Sequence, residues 1–398
     1  MTLYIDPPNT AGHGRMWSHL ASDTSFEELH RFAAGLGIPG RGFDHDHYDI
    51  PAERYHDVVE AGAVPVSGRE LVARLHAAGL RRRKRPRRRP DDAGRSLLRP
   101  HRLRRGDTAV VVAPAGPVPD ERLDAGLEVL ASWGLDVRLS ANTRGRHQDF
   151  DYLSAHDADR AKDFLEAWCD PTVQAVFCAR GGYGAQRIVD LLDWPAIAQA
   201  GPKVLVGFSD ITALHQAFAV RLRMSTVHGP VVTSLPRDAA AAEHLRALLF
   251  EPESAGSLTP TPAETVVPGQ AEGPLVGGNL ALLAATAGTR DWATARGAIA
   301  VLEEIGEEPY RLDRLLTQLL RAGWFEGVRG IVLGDFTECG DPEAIARVTF
   351  DRLAPLEVPM IRQAPIGHDP RNLAFPLGGP AVLDADAGTL SLTAPALL

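Results

Sequence analysis

From residue 106 onward, the chain alternates short apolar runs with longer segments in which apolar residues recur at helical spacing. The apolar runs have the length of β-strands and lie at 109–113, 173–178, 204–207, 298–302, 331–334 and 359–361. The segment 119–133 shows the helical pattern most clearly. Strands that alternate with helices in this way are typical of βαβ units. The sequence therefore predicts an α/β fold with a largely parallel sheet.

The first 80 residues show a pattern of shorter elements. Ser25 and Glu28 resemble a capping box at the start of a helix. A proline within 63–66 places that short strand at the edge of a sheet, and Ser67 is positioned to cap a last helix. The predicted elements are a strand at 3–5, a helix from Ser25 through 34, a His/Asp-rich loop at 40–50, a strand at 63–66 and a helix at 68–78. These elements predict a small α/β domain.

Composition changes along the chain suggest its domain boundaries. The stretch 252–273 is rich in Pro, Thr and Glu, which is typical of a connection between two lobes. The expected segments are a small α/β domain at 1–80, an Arg-rich linker at 81–105, a first lobe at 106–251, an inter-lobe link at 252–273 and a second lobe at 274–398.

Charge is distributed unevenly along the chain. The net charge is −9, but residues 81–105 contain thirteen Arg or Lys and only two Asp, a net of +11 that leaves −20 elsewhere. Such a block could contact nucleic acid through its phosphates. The run 81–90 has no aromatic residue, and its prolines oppose a continuous helix. A linker is therefore the favoured interpretation, and a nucleic-acid partner is not expected.

The overall composition is that of a soluble globular protein. Of 398 residues, 44% are hydrophobic and 23% are charged. No apolar run approaches the roughly 20 residues needed to span a bilayer, and the first residues lack the pattern of a signal peptide. Three cysteines do not make a disulfide framework. We therefore expect a cytoplasmic protein with no membrane partner.

One apolar run ends in a turn that carries a serine. The run 204–207 is followed by Phe208, Ser209 and Asp210, and then by a segment of helical pattern. A serine between a buried strand and a helix start has the geometry of a nucleophile elbow, although the sequence is not Gly-x-Ser-x-Gly. The alternative role for Ser209 is that of a simple helix N-cap.

Two other apolar runs lead to ionisable residues. The run 298–302 ends at Glu303, and the run 359–361 is followed by His368. Ligands gather at the carboxyl edge of open α/β sheets. Ser209, Glu303 and His368 at that edge would supply a nucleophile, an orienting carboxylate and a base. Glu303 has acidic neighbours, but it is the first residue past its apolar run and is therefore favoured.

Six short motifs follow one another along the last three quarters of the chain. They are RGGYG at 180–184, GFSD at 207–210, HGP at 228–230, GGNL at 277–280, LEEIGEEPYRLDR at 302–314 and GH at 367–368. In these motifs and their order the chain resembles the LD-carboxypeptidase and microcin-immunity family of serine peptidases. The resemblance implies a two-lobed peptidase with a largely parallel sheet in the lobe that carries the nucleophile.

The resemblance also implies roles for individual residues. It implies a triad of Ser209, Glu303 and His368, with no required metal or cofactor, in a protein that commonly dimerises. The backbone amide of Asp210 is a natural oxyanion donor. By its place beside the nucleophile turn, Gly182 could supply a second donor or be a purely structural turn residue.

Three further polar residues belong to the same motifs. Arg311 could bind a substrate carboxylate or make a structural ion pair. His228 and Asn279 are expected to be structural residues that fix loops near the site. Family members often carry glycine after the catalytic histidine, where this chain has Asp369, so a different shape is expected for that loop.

The implied reaction is hydrolysis of an amide between an L-centre and a D-residue. The leading substrate is a cell-wall tetrapeptide that loses its terminal D-alanine during peptidoglycan recycling. A second possibility within the family is hydrolysis of a peptidyl-nucleotide toxin, as in microcin immunity. A hypothesis of another class is a nucleic-acid-binding or regulatory protein built on a peptidase-like scaffold.

Half of the fourteen histidines lie in the first 80 residues. His45, His47 and Asp49 alternate, which puts them on one face of an extended segment. With His19 and Asp23 they could bind a divalent metal. No paired-ligand spacing supports a metal, so a polar surface loop is the favoured interpretation.

The first 80 residues also resemble a bacterial domain family of unknown function. The matching pieces are YIDPP at 4–8, WSHL at 17–20 with Asp23, ELH at 28–30, HYD at 47–49 and GAV at 62–64. The sequence leaves the role of this domain open.

Overall fold

The computed structural model describes residues 3–80, apart from 9, 13, 14 and 45, and residues 97–398, apart from 260. The chain forms two compact units, Met1–Asp92 and Ala93–Leu398. Most of the predicted Arg-rich linker, 81–96, lies outside the described residues. The rest of that segment is part of the second unit, because Leu103 is buried in its core and pairs through its backbone amide with Leu249.

The first unit is built on one mixed sheet of six short strands. The strands are β1 (Leu3–Ile5), β2 (Thr10–Gly12), β3 (Arg15–Ser22), β4 (Phe43–Asp44), β5 (His47–Pro51) and β6 (Val64–Pro65). The helices are α1 (Phe26–Gly35), α2 (Tyr55–Glu60) and α3 (Gly68–Ala77). The strand order is β4-β5-β3-β1-β6, with β2 paired to β3. Among the described strands of this unit, β1 and β6 pair in parallel and the other pairs are antiparallel.

Alternation along these strands gives the sheet two different faces. Leu20, Ile50 and Leu29 of α1 belong to the larger apolar core on one face. Leu71 and Leu75 of α3 pack with residues of the opposite face. Residues next to Leu20 and Ile50 in sequence therefore point to the face that α3 shares.

The sequence predicted the start of the first helix of this unit better than it predicted the strands of the sheet. Ser25 accepts a hydrogen bond from the Glu28 amide at 3.2 Å, as an N-cap does. The capping box is incomplete, because Glu28 accepts from the hydroxyl of Ser22. The predicted loop at 40–50 is wrong, since it contains β4 and most of β5. The longest strand, β3, was not predicted because its buried Ser18 and Ser22 break the apolar pattern.

The second unit contains nine helices and thirteen strands within the described residues. The helices are α4 (Asp120–Ser132), α5 (Asp157–Cys169), α6 (Ala185–Ile188), α7 (Trp194–Ala200), α8 (Thr212–Ala217), α9 (Ala239–Phe250), α10 (Leu280–Ala285), α11 (Pro309–Ala322) and α12 (Pro342–Leu353). The first strands are β7 (Thr108–Val112), β8 (Asp136–Leu139), β9 (Val173–Cys178), β10 (Val204–Gly207) and β11 (Thr226–His228). The remaining strands are β12 (Glu264–Val267), β13 (Gln270–Asn279), β14 (Ile299–Ile305), β15 (Gly330–Thr337), β16 (Met360–Arg362), β17 (Phe375–Leu377), β18 (Pro380–Asp384) and β19 (Thr389–Leu392).

These strands form two sheets. The first has the order β17-β11-β10-β9-β7-β8, and its strands from β11 to β8 are parallel. The second has the order β12-β16-β15-β14-β13-β18-β19, with β16 to β13 parallel. The predicted α/β class with largely parallel strands is confirmed.

Two features differ from the expected lobe boundaries. The predicted link at 252–273 contains β12 and the beginning of β13, so part of it belongs to the second sheet. Strand β17 comes from the predicted second lobe but pairs with β11 of the first sheet. The chain therefore returns to the first lobe near its end, because β11 would otherwise leave an unpaired sheet edge.

Candidate active site

Ser209 lies on a strained turn immediately after strand β10. Its φ angle is +64°, in the left-handed region that residues with a side chain rarely adopt. A 3-10 turn, Ser209–Ile211, follows and leads into α8. The carbonyl of Gly207 is held by His215 Nε2 at 2.8 Å and by the amide of Gly229 at 3.1 Å. This strand–turn–helix geometry is that of a nucleophile elbow.

His368 joins Ser209 to Glu303. The Ser209 hydroxyl lies 2.9 Å from Nε2 of His368, and Nδ1 of His368 lies 2.7 Å from Oε2 of Glu303. The Glu303 side chain is fully buried and that of His368 is 12% exposed. The ring of Phe208 packs against the imidazole at 4.8 Å between centroids. The structure therefore brings the three predicted residues into one hydrogen-bonded chain.

Glu303 is not past the end of its strand, as the sequence suggested, but within β14. The pairing of β14 with β15 shifts register between Leu302 and Glu304. The extra residue lies on β15, because Leu302 stands opposite Leu333 and Glu304 opposite Phe336. Glu303 and Glu304 are both buried, like the four residues before them, because apolar cores cover both faces of β14.

The environment of Glu303 favours its ionised form. Burial by itself raises the pKa of Glu303, but the interactions with His228 and His368 outweigh it and lower the pKa to about 2. Nε2 of His228 lies 4.0 Å from Oε1 of Glu303. An ionised carboxylate at this place holds Nδ1–H of His368 and leaves Nε2 free to take a proton from Ser209.

The pKa of Glu304 shifts in the opposite direction from that of Glu303. Burial raises its pKa to about 7, and ionised Glu303 adds to the rise. Its carboxyl oxygens accept from Asn279 Nδ2 at 2.8 Å and from the amide of Ala281 at 2.7 Å. Asn279 in turn caps α10 and donates its own amide to Thr212 at 3.1 Å. Glu304 therefore links the second sheet to the helix that follows the serine.

The glycine-rich loop at 180–184 contacts the nucleophile turn. A Cβ on Gly181 would lie 2.9 Å from Cβ of Ser209, so only glycine fits there. The carboxyl of Asp210 accepts from the amide of Ala185 at 2.7 Å and ties the loop to the turn. Burial raises the pKa of Asp210 to about 6. The sequence singled out Gly182, and the structure adds that a side chain at the neighbouring Gly181 would clash with Ser209.

A second glycine determines where His368 lies. Gly367 has a φ of +138°, and a Cβ there would lie 3.0 Å from Asp335 and 3.2 Å from Glu303. Asp335 was not predicted from the sequence, because nothing in its local pattern separates it from a strand residue. Burial raises its pKa to about 7, and nearby Asp369 and Glu303 add to the rise.

The remaining predicted residues occupy different surroundings. His228 is fully buried and stacks on Phe375 at 4.7 Å. Arg311 is exposed at the start of α11, donates to the Tyr310 hydroxyl at 3.1 Å and pairs with Glu307 at 3.5 Å. The structure thus shows the ion pair for Arg311, and its binding of a substrate carboxylate stays a prediction.

The His/Asp cluster of the first unit is only partly the predicted one. His19, His47 and Asp49 lie together. Asp23 instead accepts from the hydroxyl of Tyr4 at 2.9 Å, and His45 lies outside the described residues. The expected polar surface loop is wrong for His47, which is buried in β5.

The fold and the Ser–His–Glu geometry are those of a serine hydrolase, and comparison with known families gives the particular class. Residues 110–229 match the LD-carboxypeptidase N-terminal domain, and residues 272–383 match the LD-carboxypeptidase C-terminal domain. Residues 3–78 match a family described only as a protein of unknown function. The chain belongs to the LD-carboxypeptidase family of serine peptidases.

Individual relatives agree with this assignment. A putative carboxypeptidase of Streptomyces coelicolor is 53% identical over 306 residues, which cover 76% of this chain and 98% of the relative. The crystal structure of muramoyltetrapeptide carboxypeptidase from Oxalobacter formigenes is 30% identical, covers 72% of this chain and 97% of its own, and has a TM-score of 0.63.

A further solved structure shares the fold. Microcin C7 self immunity protein MccF in complex with aspartyl sulfamoyl adenosine matches with a TM-score of 0.66 at 24% identity, over 76% of this chain and all of that chain. No helix in the described part of the present chain has the length and apolar composition required to cross a bilayer. The predicted homodimer, and the interpretation of 81–105 as a linker without a nucleic-acid partner, stay predictions.

Proposed function

We propose that this chain removes the terminal D-alanine from a muropeptide tetrapeptide, with Ser209 as nucleophile, His368 as base and Glu303 as the orienting carboxylate. The observation that carries the proposal is the continuous hydrogen-bonded chain from Ser209 through His368 to Glu303, at 2.9 and 2.7 Å. The substrate class is supported by the resemblance to a structure described as a muramoyltetrapeptide carboxypeptidase.

The proposed reaction has two halves. Oγ of Ser209 attacks the carbonyl carbon that precedes D-alanine while His368 Nε2 takes the hydroxyl proton. His368 then gives that proton to the leaving amine, so that D-alanine departs and an acyl-enzyme remains. Water, deprotonated by His368, cleaves the ester and restores Ser209.

The negative charge on the attacked oxygen requires donors. The first amides of a helical turn have no acceptor within that turn, so the amide of Asp210 is available beside Ser209. Gly182 belongs to the loop whose Gly181 touches Ser209, and it has a φ of +104°. These positions support the two amides as the oxyanion donors.

The test is D-alanine release from a cell-wall tetrapeptide by the wild-type protein and by Ser209→Ala. A matched tetrapeptide ending in L-alanine measures stereochemical selectivity, and the exposed Ser132→Ala is the control for loss of a hydroxyl elsewhere. We expect release by wild type and Ser132→Ala, and a loss of roughly 10⁴-fold or more for Ser209→Ala.

Two results would contradict parts of the proposal. Release by Ser209→Ala at the wild-type rate would reject the nucleophile. No release by the folded wild-type protein would reject the muropeptide substrate. A parallel assay with aspartyl sulfamoyl adenosine would then decide whether the same serine hydrolyses an aminoacyl-nucleotide amide.

A further inference from the structure

Three side chains that can ligate a metal lie together within the first unit. In the antiparallel pair of β3 and β5, His19 stands directly opposite Asp49. His47 is two residues before Asp49 and so points to the same face. One potential ligand atom from each of the three residues lies within 4.8 Å of the others.

Each histidine is oriented by a carboxylate behind it. Oδ2 of Asp6 lies 2.9 Å from Nδ1 of His19, and Oδ1 of Asp6 also accepts from the His19 backbone amide at 2.5 Å. Oδ1 of Asp46 lies 2.7 Å from Nδ1 of His47. Asp6 and Asp46 are both buried. Nδ1–H donation to these carboxylates leaves the Nε2 lone pair of each histidine available, which is the arrangement found behind histidines that bind metals.

Nε2 of His47 is buried and lacks a hydrogen bond. The His47 side chain is only 7% exposed, and no described residue makes a hydrogen bond to this nitrogen. Its neighbour is Oδ1 of Asp49 at 3.3 Å. A buried polar atom without a partner costs free energy unless something occupies its lone pair. A cation between His47 and Asp49 would satisfy both atoms.

We propose that His19, His47 and Asp49 bind one divalent transition-metal ion, through the two Nε2 atoms and the Asp49 carboxylate. Imidazole ligands favour zinc, iron and related ions over magnesium and calcium, and two histidines with one carboxylate leave coordination positions open. The Asp49 side chain is 41% exposed and that of His19 is 24% exposed, so the open positions face solvent. A water molecule or a small anionic ligand would take them.

The alternative is that a proton, not a metal ion, bridges His47 and its carboxylate neighbours. Such a pair would need neither His19 nor a divalent ion. A direct binding measurement distinguishes the two possibilities. Only a metal site takes up one divalent ion per chain, and that binding depends on all three residues.

The test uses the full-length protein stripped of metals with a chelator. Zn²⁺ binding is measured by titration calorimetry, and Co²⁺ is added separately to record the visible absorption of a nitrogen- and oxygen-ligated ion. We expect one ion per chain with micromolar or tighter affinity. Asp49→Asn, which preserves side-chain shape, and His47→Ala should each weaken binding at least about 100-fold.

Two controls address adventitious binding. His56→Ala removes an exposed histidine of the same unit. His147→Ala breaks a histidine pair of the second unit, whose rings lie 4.2 Å apart. Both variants should bind like wild type, and circular dichroism verifies that every variant is folded. Absence of Zn²⁺ and Co²⁺ binding at millimolar concentration, or binding unchanged in folded Asp49→Asn, would overturn the proposal.

Discussion

The two units each contain a histidine held at Nδ1 by a buried carboxylate, yet the opposite nitrogen faces different groups. In the second unit Nε2 of His368 faces the hydroxyl of Ser209, and in the first unit Nε2 of His47 faces the carboxylate of Asp49. The carboxylate behind the ring selects the same tautomer in both places. The histidine–carboxylate pair therefore sets the position of the proton, while the third group decides between proton transfer and metal binding.

The two sites also differ in how the chain assembles them. Ser209, Glu303 and His368 come from three segments that lie far apart in sequence: a turn after β10, strand β14 and the loop after β16. His19, His47 and Asp49 come from two adjacent strands, where a single register relationship brings them together. A peptidase site therefore needs several independent supports, whereas the histidine cluster needs one correct strand pairing.

Among the variants that keep Ser209, the largest effect is expected when the carboxylate behind the catalytic histidine is neutralised. Glu303→Gln removes the charge that orients His368 and stabilises its protonated form. We expect kcat for D-alanine release to fall roughly 10³-fold or more. The control is Glu343→Gln, which changes an exposed carboxylate on α12. Activity of Glu303→Gln within tenfold of wild type would mean that His368 does not depend on this carboxylate.

A smaller loss of activity is expected when the glycine-rich loop at 180–184 is displaced from Ser209. Gly181→Ala adds a Cβ that would lie 2.9 Å from Cβ of Ser209. Displacement of the serine by a fraction of an ångström should lower kcat roughly 10²-fold. Gly256→Ala is the matched control, because nothing lies within 4 Å of a Cβ at that position. Equal activity of the two variants would show that the loop yields without moving Ser209.

In the first unit, the matching change is Asp46→Asn, which neutralises the carboxylate behind His47. The ring would lose its fixed tautomer, and Zn²⁺ affinity should fall roughly 10- to 100-fold. Titration calorimetry measures the change, with the exposed Asp57→Asn as control. If affinity is unaffected, Asp46 serves packing alone, and the parallel between the two histidine–carboxylate pairs fails.

The smallest effect concerns Glu304, a buried carboxyl that has no histidine partner. Its pKa is raised to about 7 in the folded state, so its neutral form is favoured there and stability is lost as the pH rises through 7. Relative to Glu304→Gln, wild type should lose about 1 kcal/mol of unfolding free energy between pH 6 and 8. Urea denaturation at the two pH values measures this difference. A wild-type protein that gains stability over this range relative to the variant would contradict the assignment.

Glu303 should behave in the opposite direction over a more acidic range. Its pKa is lowered to about 2, so its contribution to stability is present above the ordinary carboxyl range and is lost as the pH falls from about 4.5 towards 2. The same denaturation series, extended to acidic pH with Glu303→Gln as reference, separates the two neighbouring carboxyls. The ionised state of Glu303 also implies that loss of activity near neutral pH does not arise from its protonation.

Features that short segments encode could be predicted from the sequence alone. The elbow at Ser209 follows from an apolar strand, a turn and a helix start, all within a dozen residues. The strands Val173–Cys178 and Val204–Gly207 were predicted with the bounds that the structure shows. Ordered motifs were sufficient to recognise the family, because each is a local backbone conformation with specific residue requirements.

Features that depend on pairing between distant segments became visible only in the folded structure. The cores on the two faces of β14 bury both Glu303 and Glu304, and the opposition of β3 and β5 assembles His19, His47 and Asp49. Strand β17 joins the first sheet across more than a hundred residues of sequence. Such relationships are set by strand register and by buried polar partners, and neither contributes to the apolar pattern from which strands are recognised.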